Sequence, residues 1–221
     1  GSLPTGKTNP TTFTINSKPM DLVQPKREGY TFEGWSGTDI KEKDTQVTIT
    51  ARPLKDRTYT ANWKENSYTI VFNVEGEVTR GEMKNIPLRY TQETTIPKNG
   101  YVCGGYKFVG WRTGGKKSEQ KVYQPGDKVS RLCATNNGTV NLYPIWEPCE
   151  YTITFDYQTG NKREKVTCKY KETYTFPTVN RLGWTFEGWS RSAGSTNVIS
   201  YAPNVKTAVF EDEKDFTLYA V

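Results

Sequence analysis

Large apolar and small polar residues alternate along short stretches of this chain. In "YTITF", Tyr151, Ile153 and Phe155 fall on one face and Thr152 and Thr154 on the other, and Tyr68, Ile70 and Phe72 repeat the pattern against Thr69 and Val71. A period of two is the mark of a half-buried strand, and such strands build antiparallel sheets with one wet face. The links 73–82 and 156–165 carry Gly and polar residues between two such runs and read as hairpin loops. No window shows a 3.6-residue apolar stripe, so the pattern predicts a mainly β protein with little helix.

The pattern also recurs at long range. "GYTFEGWS" (29–36) returns as "GYKFVGWR" (105–112) and "GWTFEGWS" (183–190), at steps of 76 and 78 from Gly29 to Gly105 to Gly183. "TYTANWKENSYTI" (58–70) returns as "NLYPIWEPCEYTI" (141–153), and "LRYTQETTIPK" (88–98) as "CKYKETYTFPT" (168–178). A fixed period means an array of similar units. Residues 1–10 read as tag and linker, with Gly1-Ser2 a vector remnant and "LPTG" (3–6) part of the linker. A divergent or truncated first repeat covers 11–66, a second 67–147 and a third 148–221, the last one residue short of its closing Trp.

Composition agrees with small cores. The 221 residues are 34% hydrophobic but 13% aromatic, with a mean hydropathy of -0.76. Units of about 75 residues bury a modest share of their surface, and each large ring offsets this by burying ~150–250 Å². Gly29, Gly105 and Gly183 stand where a turn with positive φ is expected. Phe32, Phe108 and Phe186 then face one side. Simple alternation would send Trp35, Trp111 and Trp189 to the other, whereas a bulge at Gly34, Gly110 and Gly188 would turn them back. The bulge is the favoured reading, with the rings as core; an exposed sugar-stacking platform is the alternative.

The run Gly-aromatic-x-Phe-x-Gly-Trp, followed by Tyr-x-Ala-x-Trp or Leu-Tyr-x-x-Trp and then Tyr-Thr-Ile, resembles the Listeria-Bacteroides repeat, or internalin B-repeat, in three tandem copies. The resemblance implies compact β-grasp-like domains on secreted or surface-anchored bacterial proteins. It supplies no catalytic residues and implies an architectural role for Gly29, Phe32, Gly34, Trp35, Trp63, Phe108, Gly110, Trp111, Trp146, Gly183, Phe186, Gly188 and Trp189. "TTFTINSKPMDLVQPKREGY" departs from the pattern in having no clear first hairpin.

Four cysteines align with the repeats as pairs. Cys149 and Cys168 match Asn66 and Leu88, Cys103 lies in a short insertion, and Cys133 matches Val209. Of three connectivities, this selects Cys103–Cys133 and Cys149–Cys168, as suits an oxidising compartment. Four free thiols are the other reading.

The chemistry of the remaining residues points away from an enzyme. There is no histidine to do acid-base work near neutral pH, no Cys-x-x-Cys for zinc, and the acidic run 211–216 lacks the spacing of a calcium loop. Glu33 and Glu187 read as solvated strand residues. No cofactor is expected. The net charge of +6 is dispersed and does not form a nucleic-acid stripe, and no apolar run is long enough to span a membrane. Arg112, Lys116, Lys117 and Lys121 surround a Gly-Gly turn and form a candidate loop for an anionic ligand, and a second basic cluster, "GNKREK" (160–165), sits at a hairpin tip. The expected protein is a monomeric extracellular module, an adhesin stalk or a host or matrix interaction module, with a host surface protein or glycan as partner. The alternative is a glycan-binding module appended to a secreted carbohydrate-active enzyme.

Overall fold

The computed structural model describes residues 1–198 and 214–221 and the backbone of 208–209. The described residues form two compact units, Gly1–Asn73, Met83–Lys98 and Trp111–Tyr143 in one and Val74–Glu82, Asn99–Gly110 and Pro144–Val221 in the other. Strands dominate, and one turn of 3-10 helix, Lys117–Glu119, is the only helical element among the described residues.

The first repeat contains β1 (Met20–Asp21), β2 (Tyr30–Gly37), β3 (Ile40–Asp44), β4 (Thr48–Ile49) and β5 (Tyr59–Glu65). The second contains β6 (Ser67–Phe72), β7 (Val78–Arg80), β8 (Ile86–Arg89), β9 (Thr94–Thr95), β10 (Val102–Cys103), β11 (Tyr106–Thr113), β12 (Val122–Tyr123), β13 (Lys128–Val129) and β14 (Gly138–Pro148). The third contains β15 (Glu150–Asp156), β16 (Arg163–Lys169), β17 (Thr173–Tyr174), β18 (Trp189–Ser190), β19 (Ala208–Val209) and β20 (Phe216–Ala220).

One strand order underlies the second and third repeats. The sheets run β12-β11-β14-β6-β8 and β18-β20-β15-β16. In each, a hairpin is followed by a last strand that returns parallel to the hairpin's first: β14 lies parallel to β6 and β20 to β15. This is the order expected of a β-grasp-like sheet. The first repeat keeps only the β3-β2-β5 part and lacks the hairpin, as its sequence suggests. The two-strand ladders β1-β4, β9-β13 and β17-β19 recur once per repeat.

The alternating faces are buried as the pattern predicts. Tyr68, Ile70 and Phe72, and Tyr151, Ile153 and Phe155, are buried. The link 156–165 closes a tight hairpin, with Tyr157 N donating to Lys162 O at 3.2 Å. The link 73–82 is more than a hairpin loop. It carries β7, which pairs with β10, and β8 starts only at Ile86.

The bulge is present. Phe32 lies opposite Trp63 and Gly34 opposite Asn62, so Glu33 is the extra residue. In the third repeat, Val221 accepts from Glu187 N and donates to Gly188 O, both at 2.8 Å. The extra residue returns the Trp to the side of its Phe: Phe32 and Trp35 lie 5.5 Å apart, and Phe186 and Trp189 5.4 Å. Trp35, Trp111 and Trp189 are 7%, 0% and 0% exposed. Trp189 packs on Phe155 at 4.8 Å and donates to Pro177 O at 3.0 Å, and Trp111 packs on Phe72 at 4.8 Å.

The first ten residues, expected as tag and linker, are partly folded onto the first repeat. Ser2 and Lys26 exchange backbone bonds of 2.9 and 2.7 Å, and Asn9 Oδ1 accepts from Val23 N at 2.7 Å.

Candidate functional site

Each repeat turns into its Gly-aromatic strand through the same four-residue turn: Arg27-Glu28-Gly29-Tyr30, Cys103-Gly104-Gly105-Tyr106 and Arg181-Leu182-Gly183-Trp184. The glycines have φ of 74°, 73° and 78°, a left-handed conformation that other residues adopt at a cost.

Two of these turns are covered by the following repeat. At the first, Asn66 N donates to Gly29 O and Tyr90 N donates to Asn66 O, both at 2.9 Å. At the second, Cys149 N donates to Gly105 O at 2.8 Å and Tyr170 N to Cys149 O at 2.9 Å. The relay brings a tyrosine ring onto the glycine. A Cβ at Gly29 would fall within the Tyr90 ring, and one at Gly105 within the Tyr170 ring. Tyr30 meets Tyr90 edge-on at 6.4 Å and Tyr106 meets Tyr170 at 5.3 Å.

Side-chain ties differ between the two. At the first junction Asn66 accepts from Thr31 Oγ1 at 2.6 Å and donates to Ala134 O at 2.7 Å. Glu65 accepts from Thr91 N at 2.7 Å and from the Thr91 hydroxyl, which holds its carboxyl below the usual range. At the second, Cys149 replaces Asn66, and Lys171 pairs with Glu77 at 2.6 Å, which raises the lysine's pKa.

The third turn has no such cover among the described residues. A Cβ at Gly183 would meet nothing within 4 Å, and Leu182 and Trp184 are 101% and 69% exposed. Arg181 lies over the Trp184 ring at 4.7 Å, as Arg27 lies over Tyr30 at 3.7 Å. Beside Trp184 opens a cleft of ≈ 380 Å³ lined by Tyr157, Gln158, Val179, Arg181 and Phe186. Burial, aided by the bond it donates to Glu164 at 2.6 Å, pushes the Tyr157 phenol up to about 12.

The other residues singled out from sequence fall elsewhere. The four cysteines are free thiols, not the two bridges expected. Cys149 lies opposite Tyr170, and Cys168 opposite Tyr151, so the two are diagonal neighbours. Diagonal positions are roughly 7–8 Å apart, beyond the roughly 4.4–6.8 Å a disulfide spans. The repeat alignment that paired Cys103 with Cys133 also shifts: Val129, opposite Thr94, is the counterpart of Val209, opposite Thr173. Burial raises the Cys103 and Cys168 thiols.

The basic loop is split by its register. Arg112 lies opposite Val122 while Trp111 lies opposite Tyr123, so Arg112 and Lys121 point to opposite faces of the hairpin. The Arg112 guanidinium sits 5.2 Å from the Tyr143 ring centre, and Lys116 and Lys117 are exposed beside the Gly114-Gly115 turn. Glu33 is tied to Lys43 at 2.7 Å, which lowers its pKa. Trp63 and Trp146 are half-buried against Phe32 and Phe108 at 5.5 and 5.8 Å. Of the acidic run 211–216, residues 211–213 lie outside the described residues. Among the described residues no helix is long and apolar enough to cross a membrane.

Residues 68–143 and 151–221 match the Listeria-Bacteroides repeat domain, and residues 24–67 match the divergent InlB B-repeat domain. Among curated relatives, the chain is 26% identical over 177 residues to a protein of Evansella cellulosilytica named as a Gly-rich membrane protein, covering 76% of this chain and 20% of the relative. It is 30% identical over 115 residues to Internalin H of Listeria monocytogenes, covering 51% of this chain and 20% of that protein. The chain thus spans about a fifth of the length of these relatives.

Proposed function

The chain belongs to the Listeria-Bacteroides repeat family, and from that premise we propose that it is a non-catalytic repeat region of a secreted or surface-anchored bacterial protein, serving as an adhesin stalk. The reading takes 11–66, 67–147 and 148–221 as its three repeats. The observation that carries it is the repeated junction: the same amide relay and the same tyrosine-on-glycine seat join the first repeat to the second and the second to the third. A connection rebuilt in this way restricts hinging at both links, which is what a spacer requires and a ligand site does not. The likeness to Internalin H supports a surface location with a host protein or glycan as ultimate partner.

Backbone 15N relaxation on the full chain tests the proposal. A stalk has the two sides of each junction, Gly29 with Tyr90 and Gly105 with Tyr170, relaxing with one correlation time. Separate tumbling across either junction contradicts it.

The exposed Trp184 ring is the one observation that favours the alternative, a glycan-binding module. In that case soluble polysaccharides shift tryptophan emission in the full chain and not in Trp184→Ala. The stalk reading expects no shift in either.

A further inference from the structure

We infer that the Arg181–Trp184 turn is a docking face for one further repeat of this family, joined in the same chain, which seats a tyrosine on Gly183. The inference rests on the array reading above and adds a partner to it. The turn is built like the covered ones: Trp184 N donates to Arg181 O at 3.1 Å as Tyr30 N does to Arg27 O, and all three glycines have nearly the same φ. What distinguishes the third is the space left above Gly183 among the described residues and the exposure of Leu182 and Trp184. The two covered turns show what fills such a space, namely a tyrosine ring delivered by the relay through the residue that follows the closing strand.

A second copy of this chain does not fit the role. Its two candidate tyrosines, Tyr90 and Tyr170, are already seated on Gly29 and Gly105, and its first repeat has no hairpin to supply a third. A repeat tethered through a short junction, by contrast, acts at high effective concentration, so a modest face suffices. At the first junction burial, with the Glu28 carboxylate beside it, raises the Tyr90 phenol. Leu182 stands at that position in the third turn, so the incoming ring meets an apolar side chain there.

The test extends the full chain beyond Val221 with a copy of residues 146–221 and, separately, with a copy of residues 63–146. Hydroxyl-radical footprinting with peptide mass analysis then reads oxidation of Trp184, with Trp189 as the internal control for folding. The expected result is a several-fold loss of Trp184 oxidation in at least one extension, reversed when the appended copy carries Tyr170→Ala, or Tyr90→Ala in the other. Trp184 as reactive in both extensions as in the 221-residue chain overturns the inference, and so does protection that survives the alanine. Two results in the unextended chain also overturn it: protection that grows with protein concentration, which makes a second copy the occupant, and protection by soluble polysaccharide, which makes the face a sugar platform. The array reading stands or falls separately, on relaxation at the two existing junctions.

Discussion

The turns at Gly105 and Gly183 have the same length and nearly the same φ, yet one lies beneath a tyrosine ring and the other has no ring over it among the described residues. The difference does not come from the turns themselves. It comes from the neighbour, because Tyr170 is brought to Gly105 by the backbone relay through Cys149. The comparison therefore separates what a repeat needs in order to fold from what it needs in order to join another.

The largest expected contrast lies between two tryptophans five residues apart. Trp189 is fully buried against Phe155 and Tyr157, and Trp184 is 69% exposed. Trp189→Ala leaves a cavity and costs ~3–5 kcal/mol, enough to unfold the third repeat or come close to it. Trp184→Ala costs within about 0.5 kcal/mol. Calorimetry of the two variants checks this, and equal losses would break the division between core and joining face.

Glycine replacements sharpen the comparison further. Alanine at Gly183 meets only the backbone strain of a left-handed residue, ~1–2 kcal/mol. At Gly105 it meets the same strain and must also displace the Tyr170 ring, so Gly105→Ala melts lower than Gly183→Ala. Denaturant titration of both is the check, and matched midpoints would mean that the ring exerts no pressure on the glycine.

A third contrast separates the two junctions from each other. Asn66 joins Thr31 and Ala134 through its side chain, so Asn66→Ala leaves part-buried polar groups unmatched, at ~1–3 kcal/mol. Cys149→Ala removes no such pair and falls well below that loss in the same titration. A larger loss at Cys149 would mean that the second junction depends on the thiol.

An effect confined to high pH arises beside the open turn. The folded chain holds the Tyr157 proton more tightly than the unfolded one, because the phenol is raised from 10.0 to about 12. The corresponding stability is whole below pH 10 and is lost as the pH rises through about 12. Tyr157→Phe should flatten that part of the stability profile, and an unchanged slope would contradict the assignment.

Much of this arrangement was legible in the sequence because a core is rebuilt in every repeat. Phe32 and Trp35 recur as Phe108 and Trp111 and as Phe186 and Trp189, so the bulge that reconciles Phe and Trp could be argued from spacing alone. The junction was harder to see. Tyr90 and Tyr170 stand in "LRYTQ" and "CKYKE" as ordinary alternating strand residues, and nothing in those letters says that the ring lies on a glycine about 60 residues earlier. The one available signal was that Gly29 recurs with Tyr90 as Gly105 does with Tyr170, at separations of about 60 residues. The cysteine pairing failed for a related reason: sequence alignment has no access to strand register, and register makes Cys149 and Cys168 diagonal rather than opposed.

The seating of Tyr90 on Gly29 and of Tyr170 on Gly105 is open to direct measurement by NMR of the glycine α protons. A ring current from an aromatic face moves protons beneath it strongly upfield. The account predicts upfield-shifted α protons at Gly29 and Gly105 and ordinary shifts at Gly183, with Tyr90→Ala restoring Gly29 alone and Tyr170→Ala restoring Gly105 alone. Ordinary shifts at all three glycines, or shifts that persist in the alanine variants, would contradict the junction on which the array is built.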